Sequence, residues 1–347
     1  GGAEGYGSVG TPPAADAGTT SPAQQGLMTR PLTSEERTAL SDMSDINRAQ
    51  LQKLKTNGKF SKDKLTKAVD KSIDNTKKKA MLKGIVEIEV GASGKPVTED
   101  RYTEANINAL STTRLAVGDT FNGNTLTTAD PMVGQFKHAW RRRMVRDGVM
   151  ASDGTLVDYS GENVFNSVYA NRNGNGAYAS GDGDRFKGHG LLQITGRTNF
   201  QEVQNRLQAQ GIDVDLISNP ELVNDERYAL AAALAYLDYA GMTDAASENM
   251  SARGLQAVIN PRASVATAEE RWEAAITALR SEDSTAADEM EKRNEYAAQR
   301  TVGATIDGFV GTNTVTAMRE WLRDEAGVVI PAGATNMDLV VLVNENA

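Results

Sequence analysis

The stretch from Gly181 to Phe200, GDGDRFKGHGLLQITGRTNF, indicates more about the fold than any other part of the chain. It holds five glycines in twenty residues, and glycine alone lacks the Cβ atom that restricts backbone angles and keeps neighbouring groups at a distance. We therefore predict a sharply turned segment whose backbone another group approaches closely. Such geometry suits a binding site as well as a tight loop.

Composition narrows the possible classes of protein. The 347 residues are 39% hydrophobic, which supports two or three domains with sizeable cores. We predict no membrane span, because no apolar run approaches about 18 residues, and no signal peptide, because the first residues lack a basic start and an apolar stretch. The chain has no cysteine, which excludes disulfides, thiol nucleophiles and cysteine-based zinc sites. We predict neither a metal nor another cofactor.

Charge and titratable residues point to carboxylate chemistry. A formal net charge of −9 argues against a nucleic-acid partner, because binding phosphates needs a basic face. The histidines are only His138 and His189, so carboxylates are the most plentiful groups for acid–base catalysis. The segment HAWRRRMVRDG, residues 138–148, clusters four arginines. It fits the solvated face of a helix that buries Trp140 and Met144, and the alternative is contact with a polyanionic polymer.

The chain divides by composition into four predicted parts. Residues 1–32, rich in Gly, Ala, Thr, Ser and Pro, predict a flexible tether. Helical patterns over 33–75 predict a stalk, which a capping box at Thr33 begins. A domain over 76–282 alternates helices with long glycine- and asparagine-rich loops, and a small helical module follows over 284–347. The fold class predicted from these patterns is mainly α.

One glutamate near the start of the third part has an unusual predicted position. In KAMLKGIVEIEV, at about 100° per residue, Glu89 falls in the apolar stripe between Ile85 and Val86, whereas Glu87 falls on the polar side beside Lys83. A carboxyl among aliphatic groups has its ionised form desolvated, which raises its pKa and suits a general acid. The alternative is that Glu89 lies at a helix end that the pattern extends too far.

A second carboxylate is available on the loop that follows. GKPVTEDRYTEAN supplies Glu99, Asp100 and Glu104 soon after Glu89. Glycoside hydrolysis uses such a pair, since one carboxyl protonates the leaving oxygen and the other activates water.

The opening segment resembles the signature of family 19 glycoside hydrolases and related phage and bacterial endolysins. That signature is an aromatic, a basic residue, Gly-Arg-Gly, two residues, Gln-Ile/Leu-Thr-Gly, then Asn and an aromatic, and it falls here on Phe186–Gly190, Gln193–Gly196 and Asn199–Phe200. NVFNSVYANRNGNG, which contains Tyr169, and NPELVNDERYALAAALAYL resemble flanking family elements. The resemblance covers roughly 76–282 and implies a mainly helical, lysozyme-like, two-lobed domain.

The resemblance also implies roles for particular residues. Glu89 matches the general acid and Glu99 the base, and family members invert at the anomeric carbon, which needs carboxyls about 6.5 to 9.5 Å apart. The positions expected to bind substrate are Tyr102, His189, Gln193, Thr195 and Asn260, with Arg271 also lining the cleft.

Several of these positions depart from the family pattern. His189 replaces an arginine, Val-Gly-Ala follows Glu89 in place of Ser/Thr-Gly-Gly, and Pro261 replaces a glycine. Tyr102 also follows Glu99 by three residues rather than four. A structural replacement for arginine, bonding a carbonyl or carboxylate, is the alternative for His189, and reduced or lost activity stays open.

The C-terminal part carries a second resemblance. IDGFVGTNTVTAMREWL is similar to a small helical peptidoglycan-binding module through Asp307, Gly308, Gly311, Thr314 and Trp321, and a plain helical cap is the alternative. Together the patterns favour a muramidase that cleaves bacterial peptidoglycan, placed in a phage virion or tail, or in the host periplasm or cell wall, with other virion proteins as possible partners of the stalk. A non-catalytic wall-binding or structural virion protein and a chitinase are the alternatives.

Overall fold

A computed structural model describes residues 44–90, 93–100, 102–248, 250, 252–259, 265–304 and 310–346. The chain is mainly helical, and the predicted mainly α class is confirmed. Among the described residues, each β-strand is only two residues long. Within the described part, every helix is too short or too polar to cross a membrane.

The chain forms two compact units. In its described residues, the first consists of Val97–Asn224. The second joins an earlier segment, described over 44–96, to the chain from Asp225 onward. The boundaries predicted for the 76–282 domain therefore include parts of both units, and they stay a prediction.

The early segment of the second unit contains three helices and one hairpin. The helices are α1 (Asp45–Gln50), α2 (Lys62–Ser72) and α3 (Thr76–Glu89), and strands β1 (Lys55–Thr56) and β2 (Lys59–Phe60) pair antiparallel. Each helix begins after a residue whose side-chain oxygen accepts a backbone N–H, namely Ser44, Ser61 and Asn75, as helix N-termini require.

The first unit is built from short helices and two small antiparallel pairs. Its helices are α4 (Glu104–Asn108), α5 (Ala139–Arg146), α6 (Gly161–Tyr169), α7 (Asp182–Arg185) and α8 (Arg197–Ala209). Strand β3 (Val97–Thr98) pairs with β6 (His189–Gly190), and β4 (Thr120–Phe121) pairs with β5 (Asn124–Thr125). Ile107, Phe136, Met144, Val164 and Val168 are among the residues of a buried apolar cluster.

In the later segment of the second unit, all regular secondary structure of the described residues is helical. It contains α9 (Ala229–Tyr239), α10 (Asp244–Ser247), α11 (Ala252–Ile259), α12 (Val265–Arg280), α13 (Ser284–Glu291), α14 (Arg293–Thr301), α15 (Thr312–Asp324) and α16 (Asn336–Asn346). The alanine-rich α9 is almost wholly buried, and it packs against α1. The last three helices enclose an apolar cluster that includes Ala298, Met318, Leu322, Leu339 and Val343.

The described part of the predicted stalk packs into the second unit. Helix α1 packs against α9, α2 packs against α3, and Leu54, Leu65 and Val69 are buried. The buried Lys78 amine of α3 bonds Asp45 of α1 and Asp244 of α10, at 2.7 and 2.9 Å. Residues 44–75 therefore pack as part of the second unit, against α3 and α9, and the boundaries predicted for the stalk stay a prediction. The tether over 1–32 and the capping box at Thr33 lie outside the described residues.

Candidate active site

The glycine-rich segment forms a tight loop closed on itself. His189 and Ile194 exchange both backbone hydrogen bonds, at 3.1 and 2.8 Å, so the four residues between them turn back sharply. Gly196, after this loop, has a φ of +94°, and a Cβ there would lie 2.4 Å from the Cβ of Asn173. The predicted close approach is thus confirmed at Gly196.

Glu99 lies beside this loop, and three neutral donors hold its carboxylate. Tyr102 donates its hydroxyl to Oε1 at 2.8 Å, and the Tyr169 hydroxyl lies 3.1 Å from Oε1 and 3.0 Å from Oε2. The Gly188 backbone N–H donates to Oε2 at 3.1 Å. The Glu99 N–H in turn donates to the Gly188 carbonyl at 2.7 Å. Both carboxylate oxygens are therefore fixed in direction by groups that carry no charge.

The two tyrosines keep their protons under ordinary conditions. Burial raises the pKa of Tyr102 well above its usual value, and burial with the nearby Glu99 charge raises that of Tyr169 to about 12. The Tyr102 ring lies edge-on to Trp140 and Phe165, with centroids 4.8 and 4.7 Å away. Packing among these aromatic rings therefore places its hydroxyl on Glu99.

Gln193 and Thr195 belong to the same loop. Gln193 is exposed and has a φ of +50°, a backbone conformation that residues other than glycine rarely adopt. Its amide Nε2 donates to the Val97 carbonyl at 2.9 Å, which ties the loop to β3. The Thr195 hydroxyl donates to the Gln193 carbonyl at 2.8 Å. Backbone strain held by surrounding contacts is common at functional sites.

A side chain at Gly188 would approach these same groups. A Cβ at Gly188 would lie 2.6 Å from Oε1 of Gln193 and 3.3 Å from Oε2 of Glu99. The candidate base and the expected substrate-binding amide thus converge on one backbone position within the first unit.

His189 occupies a buried position instead of the surface of the site. It is 5% exposed, Nδ1 lies 2.9 Å from the Thr98 hydroxyl, and Nε2 lies 3.3 Å from the Arg185 carbonyl. Because a carbonyl only accepts, Nε2 carries the proton, and burial lowers the pKa of the ring. With both nitrogens occupied, this geometry favours the structural alternative over a sugar-binding role.

Glu89 belongs to the second unit, and its surroundings differ from those predicted. It is the last residue of α3, and its side chain is 33% exposed. The buried face of α3 ends at Val86, after which Glu87, Ile88 and Glu89 are exposed. The prediction of a carboxyl enclosed by aliphatic groups is therefore wrong, because the helix ends where the periodicity assumes that it continues. Oε2 of Glu87 lies 2.8 Å from the Lys62 amine of α2, and not beside Lys83 as predicted.

The partner of Glu89 is a buried arginine. Arg271 on α12 is 3% exposed, its Nε donates to Oε1 of Glu89 at 2.8 Å, and its Nη2 contacts the same oxygen. Its Nη1 is buried without a hydrogen-bond partner among the described residues.

Close packing of two helices brings this pair together. A Cβ at Gly84 of α3 would lie 2.5 Å from the Arg271 carbonyl and 2.7 Å from the Ala275 nitrogen. Glycine at this position lets the two backbones meet, so the guanidinium reaches the end of α3.

The remaining predicted residues divide between described and undescribed parts of the chain. Asn260, Asp307 and Gly308 lie outside the described residues. Gly311 immediately precedes α15, Thr314 is buried, and Trp321 packs half-buried against the C-terminal apolar cluster. Glu104 is exposed at the start of α4.

The sequence interpretation gave no role to Tyr169 or to the Gly188 amide. Tyr169 stands in NVFNSVYANRNGNG, which resembles a family element, but the resemblance did not indicate that its hydroxyl binds Glu99. Among the described residues, no cluster of three or more histidine and carboxylate side chains could hold a metal ion.

Comparison with known proteins gives a partial match. No protein-family model matches the chain. Over 61 residues, the chain is 41% identical to a Haemophilus influenzae protein described as a glycosyl hydrolase family 19 domain-containing protein. This stretch is 18% of the chain and 30% of the length of that relative. The similarity supports a relation to family 19 glycoside hydrolases over a limited part of the molecule.

Proposed function

We propose that the protein is a glycoside hydrolase that cleaves the β-1,4 bond between N-acetylmuramic acid and N-acetylglucosamine in bacterial peptidoglycan. The observation that carries this proposal is the Glu99 carboxylate, fixed by Tyr102, Tyr169 and the Gly188 amide. A partial similarity to a family 19 domain-containing protein supports the same reaction class.

Glu99 is the proposed base. A general base has to present a carboxylate oxygen in a fixed direction toward the water that it activates. Neutral donors orient Glu99 without placing a cation beside the site, so its negative charge can also stabilise an oxocarbenium-like sugar. The half-exposed Glu99 leaves room for a glycan to approach.

Glu89 is the proposed acid, with Arg271 as the group that holds it in the free protein. A general acid delivers a proton to the leaving oxygen, whereas Arg271 binds Glu89 as an ion pair. We therefore expect glycan binding to loosen this contact before the proton is transferred.

The Glu89–Arg271 pair also favours a second candidate function. A protein that binds wall glycan without cleaving it has no need of a free acid, and a permanent ion pair is compatible with that role. The proposed wall-binding module at 284–347 would serve either function, as would attachment to a virion or tail.

Clearing of purified peptidoglycan tests the proposal. We expect the parent to release sugars with reducing N-acetylmuramic acid ends, identified by mass spectrometry, and Glu89→Gln and Glu99→Gln to lose at least roughly a hundredfold in rate, a loss typical of acid–base residues. Glu104→Gln, an exposed carboxylate on α4, is the matched control and should clear like the parent.

Other outcomes would replace the proposal. Cosedimentation with cell walls without clearing by the parent would support the wall-binding function, and turnover of chitin oligomers without turnover of walls would support a chitinase. Equal clearing by Glu89→Gln and the parent would remove Glu89 as the acid.

A further inference from the structure

The arginine-rich helix α5 has two faces with different surroundings. Arg141 and Met144 are buried on one face, where the Arg141 guanidinium bonds the carbonyls of Ile107, Asn108 and Leu110. The opposite face lines a groove of about 550 Å³. The lining of this groove includes three apolar residues, Met132, Ala139 and Val145, and three arginines, Arg142, Arg143 and Arg146.

Arg142 is held in place by groups that do not neutralise it. Its Nη1 donates to the carbonyls of Phe136 and Lys137, both at 2.6 Å, and its guanidinium lies 4.9 Å from the ring centroid of Phe121. Within the part of the chain that the structure describes, no carboxylate lies in ion-pair contact with Arg142. Burial lowers the pKa of Arg142, as expected for a cation that has lost water without gaining a counter-ion.

The other two arginines are also held by hydrogen bonds, and Arg146 is paired with a carboxylate. Arg146 donates through Nε and Nη2 to the two carboxylate oxygens of Asp147, each at 2.7 Å. Arg143 donates through Nη1 to the Val168 carbonyl at 3.0 Å. The lining of the groove contains no carboxylate, so positive charge is in excess there.

This local excess contrasts with the charge of the whole chain. With a formal net charge of −9, the protein repels polyanions in general, so binding of a polyanion needs a particular basic site. Guanidinium groups bind the oxygens of phosphates and carboxylates in a planar fork. The apolar residues of the groove would meet the uncharged links between successive anionic groups.

We propose that this groove binds a flexible polymer of phosphodiester-linked units, with Arg142 as the central contact. The site lies within the first unit and acts independently of the acid–base residues. A flexible polymer suits a groove lined by one helix and the loop before it.

Titration calorimetry of the full-length protein tests this site. The probes are poly(glycerol phosphate) and poly-L-glutamate of matched length, with dextran as the uncharged control. We expect poly(glycerol phosphate) to bind, more weakly as salt rises, and tighter binding of poly-L-glutamate would overturn the assignment to phosphodiester groups.

Two pairs of variants locate the site. Ala139→Glu places a carboxylate in the groove at the first residue of α5, where a negative charge suits the helix, and Ala139→Gln has the same size without charge. Arg146→Gln is matched by Arg323→Gln, because Arg323 also pairs through Nε and Nη2 with the aspartate that follows it.

We expect roughly tenfold weaker binding by Ala139→Glu and by Arg146→Gln, because each adds one negative charge without a counter-ion beside the groove. In Arg146→Gln that charge is the Asp147 carboxylate, which loses its ion-pair partner. Ala139→Gln and Arg323→Gln should bind like the parent, and unchanged melting temperatures would show that all four variants are folded. Absence of binding by the parent, equal binding of dextran, or equal loss in Arg323→Gln would overturn the proposal. Tighter binding of a DNA duplex than of both polymers would also overturn it and indicate a nucleic acid.

Discussion

Glu99 and Glu89 are held in opposite ways. Neutral groups from three parts of the first unit surround Glu99, two tyrosine hydroxyls and a backbone amide. A single cation holds Glu89, and that cation is 182 residues away in sequence. Several neutral donors share the orientation of a carboxylate, so the loss of one loosens that orientation without abolishing it. A single ion pair instead makes Glu89 depend on one helix crossing.

Breaking that crossing should give the largest effect. In Gly84→Ala, the new Cβ would overlap backbone atoms of Arg271 and Ala275, which have no side-chain freedom to move away. We expect a loss of about 3 kcal/mol in the free energy of unfolding, as for overpacked cores, measured by urea denaturation.

Gly161→Ala provides the control for this substitution. A Cβ at Gly161, the first residue of α6, would have no heavy atom within 4 Å, so we expect its stability to be unchanged or slightly higher. Wild-type stability in Gly84→Ala would show that α3 and α12 do not meet as closely as described.

Removing the neutral donors should give a smaller effect, and it should fall on catalysis. Tyr169→Phe deletes a hydroxyl that contacts both oxygens of Glu99, and Tyr102→Phe deletes the other. If Glu99 is the base, we expect each variant to lose roughly tenfold in kcat, about 1.4 kcal/mol, in peptidoglycan turnover.

Tyr178→Phe is the matched control, because the Tyr178 hydroxyl has no hydrogen-bond partner among the residues that the structure describes. Full activity in both Tyr102→Phe and Tyr169→Phe would contradict the base assignment.

Much of this arrangement was accessible from sequence, for reasons that particular residues make clear. The glycines of 181–200 indicated close approach, and Gly196 shows it. The groups that approach, such as Asn173, carry no local signal, because tertiary packing alone brings them there. Periodicity predicted α3 and the exposure of Glu87, but it placed Glu87 beside Lys83, whereas Glu87 pairs with Lys62 and Lys83 pairs with Asp70 and Glu282. Periodicity also assumes that the buried face continues to the end of the helix. It therefore placed Glu89 in an apolar stripe that ends at Val86.

The smallest expected effect is on the pH dependence of stability at His189, whose ring contacts Thr98, the residue before Glu99. Burial lowers its pKa, so below about pH 6.5 the unfolded chain takes up a proton that the folded protein resists. The neutral ring therefore contributes stability above that pH, and the contribution is lost as the pH falls.

We expect the free energy of unfolding to fall less between pH 7.5 and pH 5 in His189→Gln than in the parent. This difference between the two proteins should be smaller than the loss of stability in Gly84→Ala. Glutamine can still bond Thr98 and Arg185, which preserves the local contacts. His138→Gln, at a less buried ring whose pKa is also lowered by burial, should change the pH dependence less. Equal pH dependence in His189→Gln and the parent would contradict this account.

The discontinuous second unit sets an order for folding during synthesis. Helix α3 leaves the ribosome long before α12, the helix that covers its apolar face. The continuous stretch Val97–Asn224 is made in the meantime and has all of its own contacts available. The apolar residues Met81, Leu82, Ile85 and Val86 must therefore wait in a nascent chain that contains α2 but not yet α12, which makes this segment the point at which chaperones would act and truncated products would aggregate.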